Sequence, residues 1–404
     1  ESSPVVGGLC RSKSVAGFTY DVAGGHILYS KDRDAMAWMM AAGGGEDAFV
    51  RRTRQTRIRW EDRWVRYPFE NGLGDLTSQA NFECLRGYVL AWHERAVDGS
   101  SAPKDFKSWI RWRFGQGIAE HFMNPYNEKI WKRDLAEISS DWVAGRVPDA
   151  PIDDVLRASV GIQTEGYTHQ SIFFYPLHGG FQAITDGIAS TSIRRVRLDT
   201  PVRDVTHGRA GLRVNGEEFD VVVSTLPLDS LPQIVRDVPA GVADAMRGLA
   251  FNGLISFLVA LDRPVHPDLS WIYLPQRTQG PANRVTYMSN YAPEMAPAGK
   301  SSLLVEVTWP GRERFPGASL EQEVLDGLCT AGLIDKRELL FTDRAEVDQA
   351  YIVFDHDHFA RRKLAIDWLE SVDILPLGRF GRYDYDNSDQ CVIKARELAG
   401  RLLA

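Results

Sequence analysis

An acid followed at short range by paired glycines is what a nucleotide-binding turn requires. Glu1 precedes Gly7 and Gly8 in this way, so a carboxylate is available for ribose hydroxyls where glycines let backbone approach a cofactor. A surface acid before an ordinary turn gives the same pattern. A second pair, Gly24 and Gly25, sets His26 behind equally permissive backbone, where its imidazole can face a ligand or lie satisfied in a core. With 47 Lys and Arg against 54 Asp and Glu, the net charge of -7 offers no general attraction to nucleic acid or an anionic membrane. Any diphosphate must be met locally by arginines, whose planar fork suits it. The run Asp355-His356-Asp357-His358 invites a metal reading, but on a strand alternate residues face opposite ways and only two ligands converge, so no metal is expected. Cys10, Cys84, Cys329 and Cys391 form no CxxC pair, which argues against a zinc site or disulfide framework and fits a reducing, cytoplasmic compartment.

The elements that must position these residues can be read from periodicity. Phe18 to Val22 alternates as a short strand, followed by the Gly24-Gly25-His26 loop and then Ile27-Leu28-Tyr29. Residues 76–145 are helical in pattern: Phe106, Trp109, Ile110 and Phe114 share a face behind the N-cap Asp105. Asn215-Gly216 marks a hairpin, and Val221-Val222-Val223 suits a parallel strand buried on both faces. Leu254 to Leu261, Arg284 to Ser289 and Leu303 to Thr308 predict an antiparallel sheet, and Val392 to Leu403 a terminal helix with Ser388 and Asp389 as caps. At 404 residues the chain can bury two or three cores, and 44% hydrophobic with 25% charged residues is a globular composition. No apolar run is long enough to span a bilayer. Eleven Trp and thirteen Tyr serve either core packing or a stacked ring ligand.

Taken in order, Gly7-Gly8-Leu9-Cys10-Arg11-Ser12, Gly17-Phe18-Thr19-Tyr20-Asp21, Gly24-Gly25-His26, Tyr67-Pro68-Phe69-Glu70-Asn71, Asn124-Pro125-Tyr126-Asn127 with Trp131, and Gly378-Arg379-Phe380-Gly381 resemble signatures of the UDP-galactopyranose mutases, with the eukaryotic-type branch nearer. These lie within the FAD-dependent superfamily of amine and protoporphyrinogen oxidases. The resemblance implies an α/β fold with a Rossmann-like FAD-binding domain, an inserted helical domain and an antiparallel sheet domain. The expected division is a discontinuous FAD domain at 1–72, 170–245 and 360–404, a helical domain at 73–169 and a sheet domain at 246–359.

It further implies that reduced FAD, charged by NADPH or NADH, attacks the anomeric carbon of UDP-galactopyranose through its N5, and that the covalent sugar adduct opens and recloses as the furanose. His26, Arg146 and Arg284 would be catalytic, and Glu1, Gly7, Gly8, Leu9, Gly24, Gly25, His26, Val202, Arg379, Asn387 and Asp389 would hold FAD. Tyr29, Tyr67, Glu70, Asn127, Trp131, Arg146, Tyr273, Arg284, His358 and Tyr385 would bind the UDP-sugar. The terminal helix would direct its positive end at the reduced flavin, and a homo-oligomer is admissible.

Three departures qualify this. Glu70 stands where the branch has glutamine, and His358 where a phosphate-binding tyrosine is expected. Family members also open with a strand and a GxGxxG turn for the FAD pyrophosphate, so this sequence begins about one βα unit late, as a fragment or misplaced start would, and Gly43-Gly44-Gly45 lies in a loop that does not replace it. A sequence truly lacking that unit would be a non-catalytic remnant. Other nucleotide sugars, and an amine oxidase or protoporphyrinogen oxidase type of activity, remain open alternatives.

Overall fold

The computed structural model describes residues 1–404 apart from 145, 148–150, 165–170, 193, 194, 208–210, 265 and 267, and apart from the side chains of 98 and 207. The expected boundary at 169/170 and Gly145, the end of the expected helical range and the neighbour of Arg146, therefore lie outside the described residues.

A hairpin of β1 (Ser12–Val15) and β2 (Phe18–Asp21) opens the chain, followed by α1 (Arg33–Ala42) and β3 (Phe49–Thr53). The pair β4 (Thr56–Trp60) and β5 (Arg63–Arg66) leads into α2 (Ser78–Asp98), α3 (Phe106–Ile118), α4 (Asn124–Trp131) and α5 (Ile152–Ser159). Asp105 caps α3 as expected, accepting from the Ser108 amide at 2.8 Å. β6 (Ile172–Pro176) returns to pair antiparallel with β3, and α6 (Gln182–Ser190) follows. A meander of β7 (Val205–His207), β8 (Leu212–Val214) and β9 (Glu217–Phe219) turns at Asn215-Gly216, whose φ values of 48° and 89° are those of a tight hairpin turn.

β10 (Val222–Ser224) and α7 (Ala240–Arg247) precede the long strand β11 (Ala250–Leu261), the short β12 (Trp271–Tyr273) and β13 (Arg284–Thr286), and the long β14 (Ser301–Pro310). Then come α8 (Ser319–Thr330), β15 (Leu339–Val353), α9 (His358–Ser371), β16 (Ile374–Pro376) and α10 (Ser388–Leu403). Seven strands form one mixed sheet in the order β15-β11-β14-β13-β12-β4-β5, parallel only between β12 and β4. The three apolar segments read from sequence are thus adjacent strands of one sheet, with β4 and β5 added from far upstream.

Side-chain alternation splits this sheet between two cores. Ile255, Phe257 and Val259 of β11 and Leu303, Val305 and Val307 of β14 pack under α8 with Val324 and Leu328. Leu258, Ala260 and Leu304 face the other way, towards Phe18, Tyr20, Phe173 and Tyr175. This second face, which also carries Glu306, is where the candidate site forms.

Two local expectations change. β10 is parallel, as read, and pairs with β16, but Val221 and Val223 are 42% and 41% exposed: among the described residues no further strand extends this two-stranded sheet. The run Asp355 to His358 is no strand, because β15 ends at Val353 and α9 starts at His358. Among the described residues no helix is long and apolar enough to cross a membrane.

The helical segment is held to itself by backbone contact. A Cβ at Gly117 of α3 would lie 2.4 Å from the Glu83 carbonyl oxygen and 2.6 Å from the Cys84 Cα in α2, and neither backbone group can rotate away. Gly117→Ala is expected to lower unfolding free energy by about 1–3 kcal/mol, measured by chemical denaturation.

Candidate functional site

Strand register brings a guanidinium and a carboxylate together in the middle of the large sheet. Arg284 on β13 lies opposite Tyr273 on β12 and opposite Glu306 on β14. Arg284 donates from Nε and Nη2 to the two Glu306 oxygens at 2.6 and 2.9 Å, a bidentate pair whose acid is fully buried. Burial alone would oppose the charge of Arg284, but Glu306 and the neighbouring Tyr351 reverse this and drive its pKa well above the ordinary value. The Tyr351 hydroxyl donates to Glu306 Oε2 at 3.3 Å, and burial followed by that carboxylate keeps the phenol protonated.

The Gly24-Gly25-His26 loop lies directly on this pair. Gly25 N–H donates to Glu306 Oε1 at 3.3 Å. A Cβ at Gly24, where φ is +87°, would meet the Glu306 carboxylate at 2.8 Å, and one at Gly25 would meet Thr286 at 2.9 Å. The close approach that these glycines permit is therefore to the protein's own side chains. Asp21, fully buried at the end of β2, anchors the loop from behind: it accepts from His26 N–H at 3.0 Å, Ser12 Oγ at 2.7 Å, the Tyr175 hydroxyl at 2.9 Å and Phe181 N–H at 3.3 Å. The His26 ring stacks on Phe181 at 5.0 Å, and its Nδ1 lies 3.7 Å from Asp21, too far for a hydrogen bond.

Aromatic rings extend the site. Tyr273 contacts Tyr67 at 5.2 Å and Tyr126 at 5.1 Å, and the series continues through Phe122 to Phe69. Asn127 is buried and fixed by α4, donating to the Met123 carbonyl at 2.8 Å and accepting from Trp131 Nε1 at 3.2 Å. Two further guanidiniums lie over the ring of Tyr385, Arg146 at 4.6 Å and Arg379 at 4.7 Å, and that ring stacks on Trp142 at 6.4 Å, which in turn meets Trp131 of α4 at 5.2 Å. Arg146 also donates to the Tyr385 carbonyl at 3.0 Å but is exposed, whereas Arg284 is held in a strand.

Arg146, Arg284, Tyr67, Tyr273, Tyr385 and Arg379 thus occupy one connected neighbourhood with the His26 loop, and Asn127 and Trp131 adjoin it. Other expected residues lie elsewhere. His358 is buried at the start of α9 with Nε2 3.1 Å from the Tyr383 carbonyl, its pKa lowered by burial to about 4, and is not brought to Arg284. Tyr351, seven positions earlier on β15, stands beside Glu306 instead. Asp389 accepts from Ser30 Oγ at 2.8 Å, while α10 is capped by Asn387 and Gln390. Glu1 is exposed and bonds to the Ser3 amide, Leu9 and Val202 are half-buried against the main core, and Tyr29 is half-buried. Glu306, Asp21, Tyr351 and Tyr126 were missed. The one signal for Glu306 was its isolation as a charge in the apolar stretch Ser301–Pro310.

Comparison with known proteins agrees with this architecture. Residues 1–338 match the family described as flavin containing amine oxidoreductase. A crystal structure of a reduced UDP-galactopyranose mutase superposes with a TM-score of 0.91 at 24% identity, covering 100% of this chain and 89% of that one. A protoporphyrinogen oxidase-type protein from Exiguobacterium sp. 255-15 gives 0.72 at 17% identity, covering 99% and 92%, and a putrescine oxidase variant gives 0.67 at 14%, covering 100% and 92%. At these identities the likenesses establish the fold.

Glu70 provides a pH test. It is buried, its Oε1 has no hydrogen-bond partner among the described residues, and burial raises its pKa from the ordinary 4.5 to about 7 against the opposing pull of its backbone hydrogen bond and Arg113. The folded state therefore keeps a proton that the unfolded state has lost over this range. Stability on this account is full below pH 4.5, falls as pH rises and levels off above about 7, by on the order of 3 kcal/mol. Glu70→Gln is expected to flatten that fall and to be more stable than the parent at pH 8 by about 1–3 kcal/mol, read from denaturation curves across pH.

Proposed function

The chain belongs to the flavin containing amine oxidoreductase family, and from that premise we propose that it is an FAD-dependent isomerase interconverting UDP-galactopyranose and UDP-galactofuranose. The observation that carries this reading is that Arg284 stands between Tyr273 and the Glu306–Tyr351 pair beside the His26 loop, while Tyr351 interacts electrostatically with Tyr385, the ring beneath Arg146. Guanidiniums backed by phenols suit a diphosphate, and the aromatic wall suits a base and a sugar.

FAD is the group this family holds, and the residues present fit its flavin end. His26 Nδ1 and Arg379 Nε are buried polar atoms without a hydrogen-bond partner among the described residues, and the start of α10 offers N–H donors with a partial positive charge. His26, Arg379 and Asn387 would hold the ring. Bound and reduced, by NADPH or NADH in this reading, the flavin supplies the nucleophile for the anomeric carbon.

The protein's own residues then orient and retain. Arg146 and Arg284 hold the diphosphate while the bond to the sugar is broken and remade, so that UDP stays within reach. Tyr67, Asn127 and Trp131 border the sugar, and the rings around Tyr126 keep water away. No side-chain nucleophile is required.

An oxidase acting on amines is the second reading, favoured by the family and by the putrescine oxidase likeness. Such a substrate would present an ammonium group rather than a diphosphate. Glu306, the buried acid at the centre, is already committed to Arg284, which weighs against it.

Incubating the reduced, flavin-loaded protein with UDP-galactofuranose is expected to yield UDP-galactopyranose by chromatography, and the oxidised protein is expected to yield none. Arg146→Ala should lower kcat/KM by roughly 10²-fold with little change in stability, since the side chain is exposed. Amine-dependent hydrogen peroxide formation without sugar conversion would establish the oxidase reading instead.

A further inference from the structure

Glu306 bonds both to Arg284 of the sheet and to Gly25 of the loop that carries His26. Its Oε1 accepts from Arg284 Nε and from Gly25 N–H, and its Oε2 accepts from Arg284 Nη2 and the Tyr351 hydroxyl. Four donors from two strands and the Gly24-Gly25-His26 loop therefore converge on a carboxylate with no exposed surface. Ser256, its neighbour across β11, adds a buried hydroxyl with no partner among the described residues.

Resting on the nucleotide-sugar reading, we infer that Glu306 is a positioning residue that tempers the site's affinity for UDP while fixing Arg284 against the Gly24-Gly25-His26 loop. Arg284 meets the diphosphate already neutralised along the edge formed by Nε and Nη2, leaving Nη1 for the ligand. The carboxylate repels the phosphates at short range, so the same contact that orients the guanidinium weakens its hold on the anion. A reaction in which UDP leaves the sugar and rejoins it needs this balance: tight capture would hold UDP in the ground state without helping the broken-bond state.

The inference has a signature that loss of mere structural support does not share. Glu306→Gln keeps an oxygen for Gly25 N–H and Arg284 Nε, and its amide can donate to the Tyr351 oxygen, but it removes the charge. UDP binding, measured by calorimetry on the flavin-loaded protein, should tighten by roughly three- to tenfold and become more sensitive to salt, while kcat falls by at least about tenfold. KM and kcat then move down together. Weaker UDP binding accompanied by lower kcat would reduce Glu306 to a structural support and overturn the inference, as would unchanged values for both. Should Glu306→Gln not fold, Glu306→Asp retains the charge but withdraws it by one methylene, and UDP binding tighter by about two- to threefold with lower kcat is then expected; weaker or unaltered binding overturns it. Failure of the parent protein to bind UDP would instead remove the nucleotide-sugar reading on which the inference stands.

Discussion

A carboxylate with no access to water must be paired, and Glu306 meets that demand through Arg284 at 2.6 and 2.9 Å. This pair depends on the sheet being in register, because Arg284 and Glu306 are direct cross-strand partners on β13 and β14. A slip of one residue would turn Arg284 into the core under α8, where Val285 and Val305 now lie, and leave Glu306 buried alone. Breaking such a pair costs several kcal/mol, so the charge at the centre of the site also specifies how the sheet is assembled. The aromatic wall follows from the same register, since Tyr273 is the next cross-strand neighbour of Arg284.

Asp21 does for the loop what Glu306 does for the sheet. Its four hydrogen bonds come from the opening hairpin, the His26 amide, β6 and the segment entering α6, the last two 154 and 160 residues away in sequence. Between these two buried acids the Gly24-Gly25-His26 loop is fixed from both sides, by Asp21 at His26 and by Glu306 at Gly25. Fixing the backbone there limits where the imidazole can stand, which is the condition for its ring to face a bound group reproducibly.

Local signals carried the sequence reading a long way. The Asp105 cap, the Asn215-Gly216 turn, the parallel character of β10 and the three apolar strands all rest on interactions within a few residues or on side-chain period. What stayed hidden is non-local. Nothing in Thr56–Trp60 announces that it pairs in parallel with Trp271–Tyr273, more than two hundred residues later. Glu306 reads in isolation as an outward-facing charge, because its partner sits on another strand. The placement of His358 by spacing met a different obstacle: the chain passes from β15 into α9 between Val353 and His358, so period 2 gives way to 3.6 and position no longer determines facing. Tyr351, on the strand side of that change, has the orientation that His358 lacks.

The charge distribution of the site separates two arginine roles that sequence alone would treat as one. Arg284 is strand-bound and nearly neutral in company with Glu306, so it contributes direction more than attraction. Among the described residues Arg146 and Arg379 meet no comparable acid over Tyr385: Arg146 contacts two carbonyls and that ring, and Arg379 contacts the Asp386 carbonyl at 3.4 Å and the same ring. On the proposed reading, and in a protein of net charge -7, an anionic substrate would be drawn in by the exposed Arg146 and aligned by Arg284. The exposure of Arg146 suits the division proposed: a group that first meets a charged ligand must reach solvent, whereas one that sets its final geometry gains from a rigid strand.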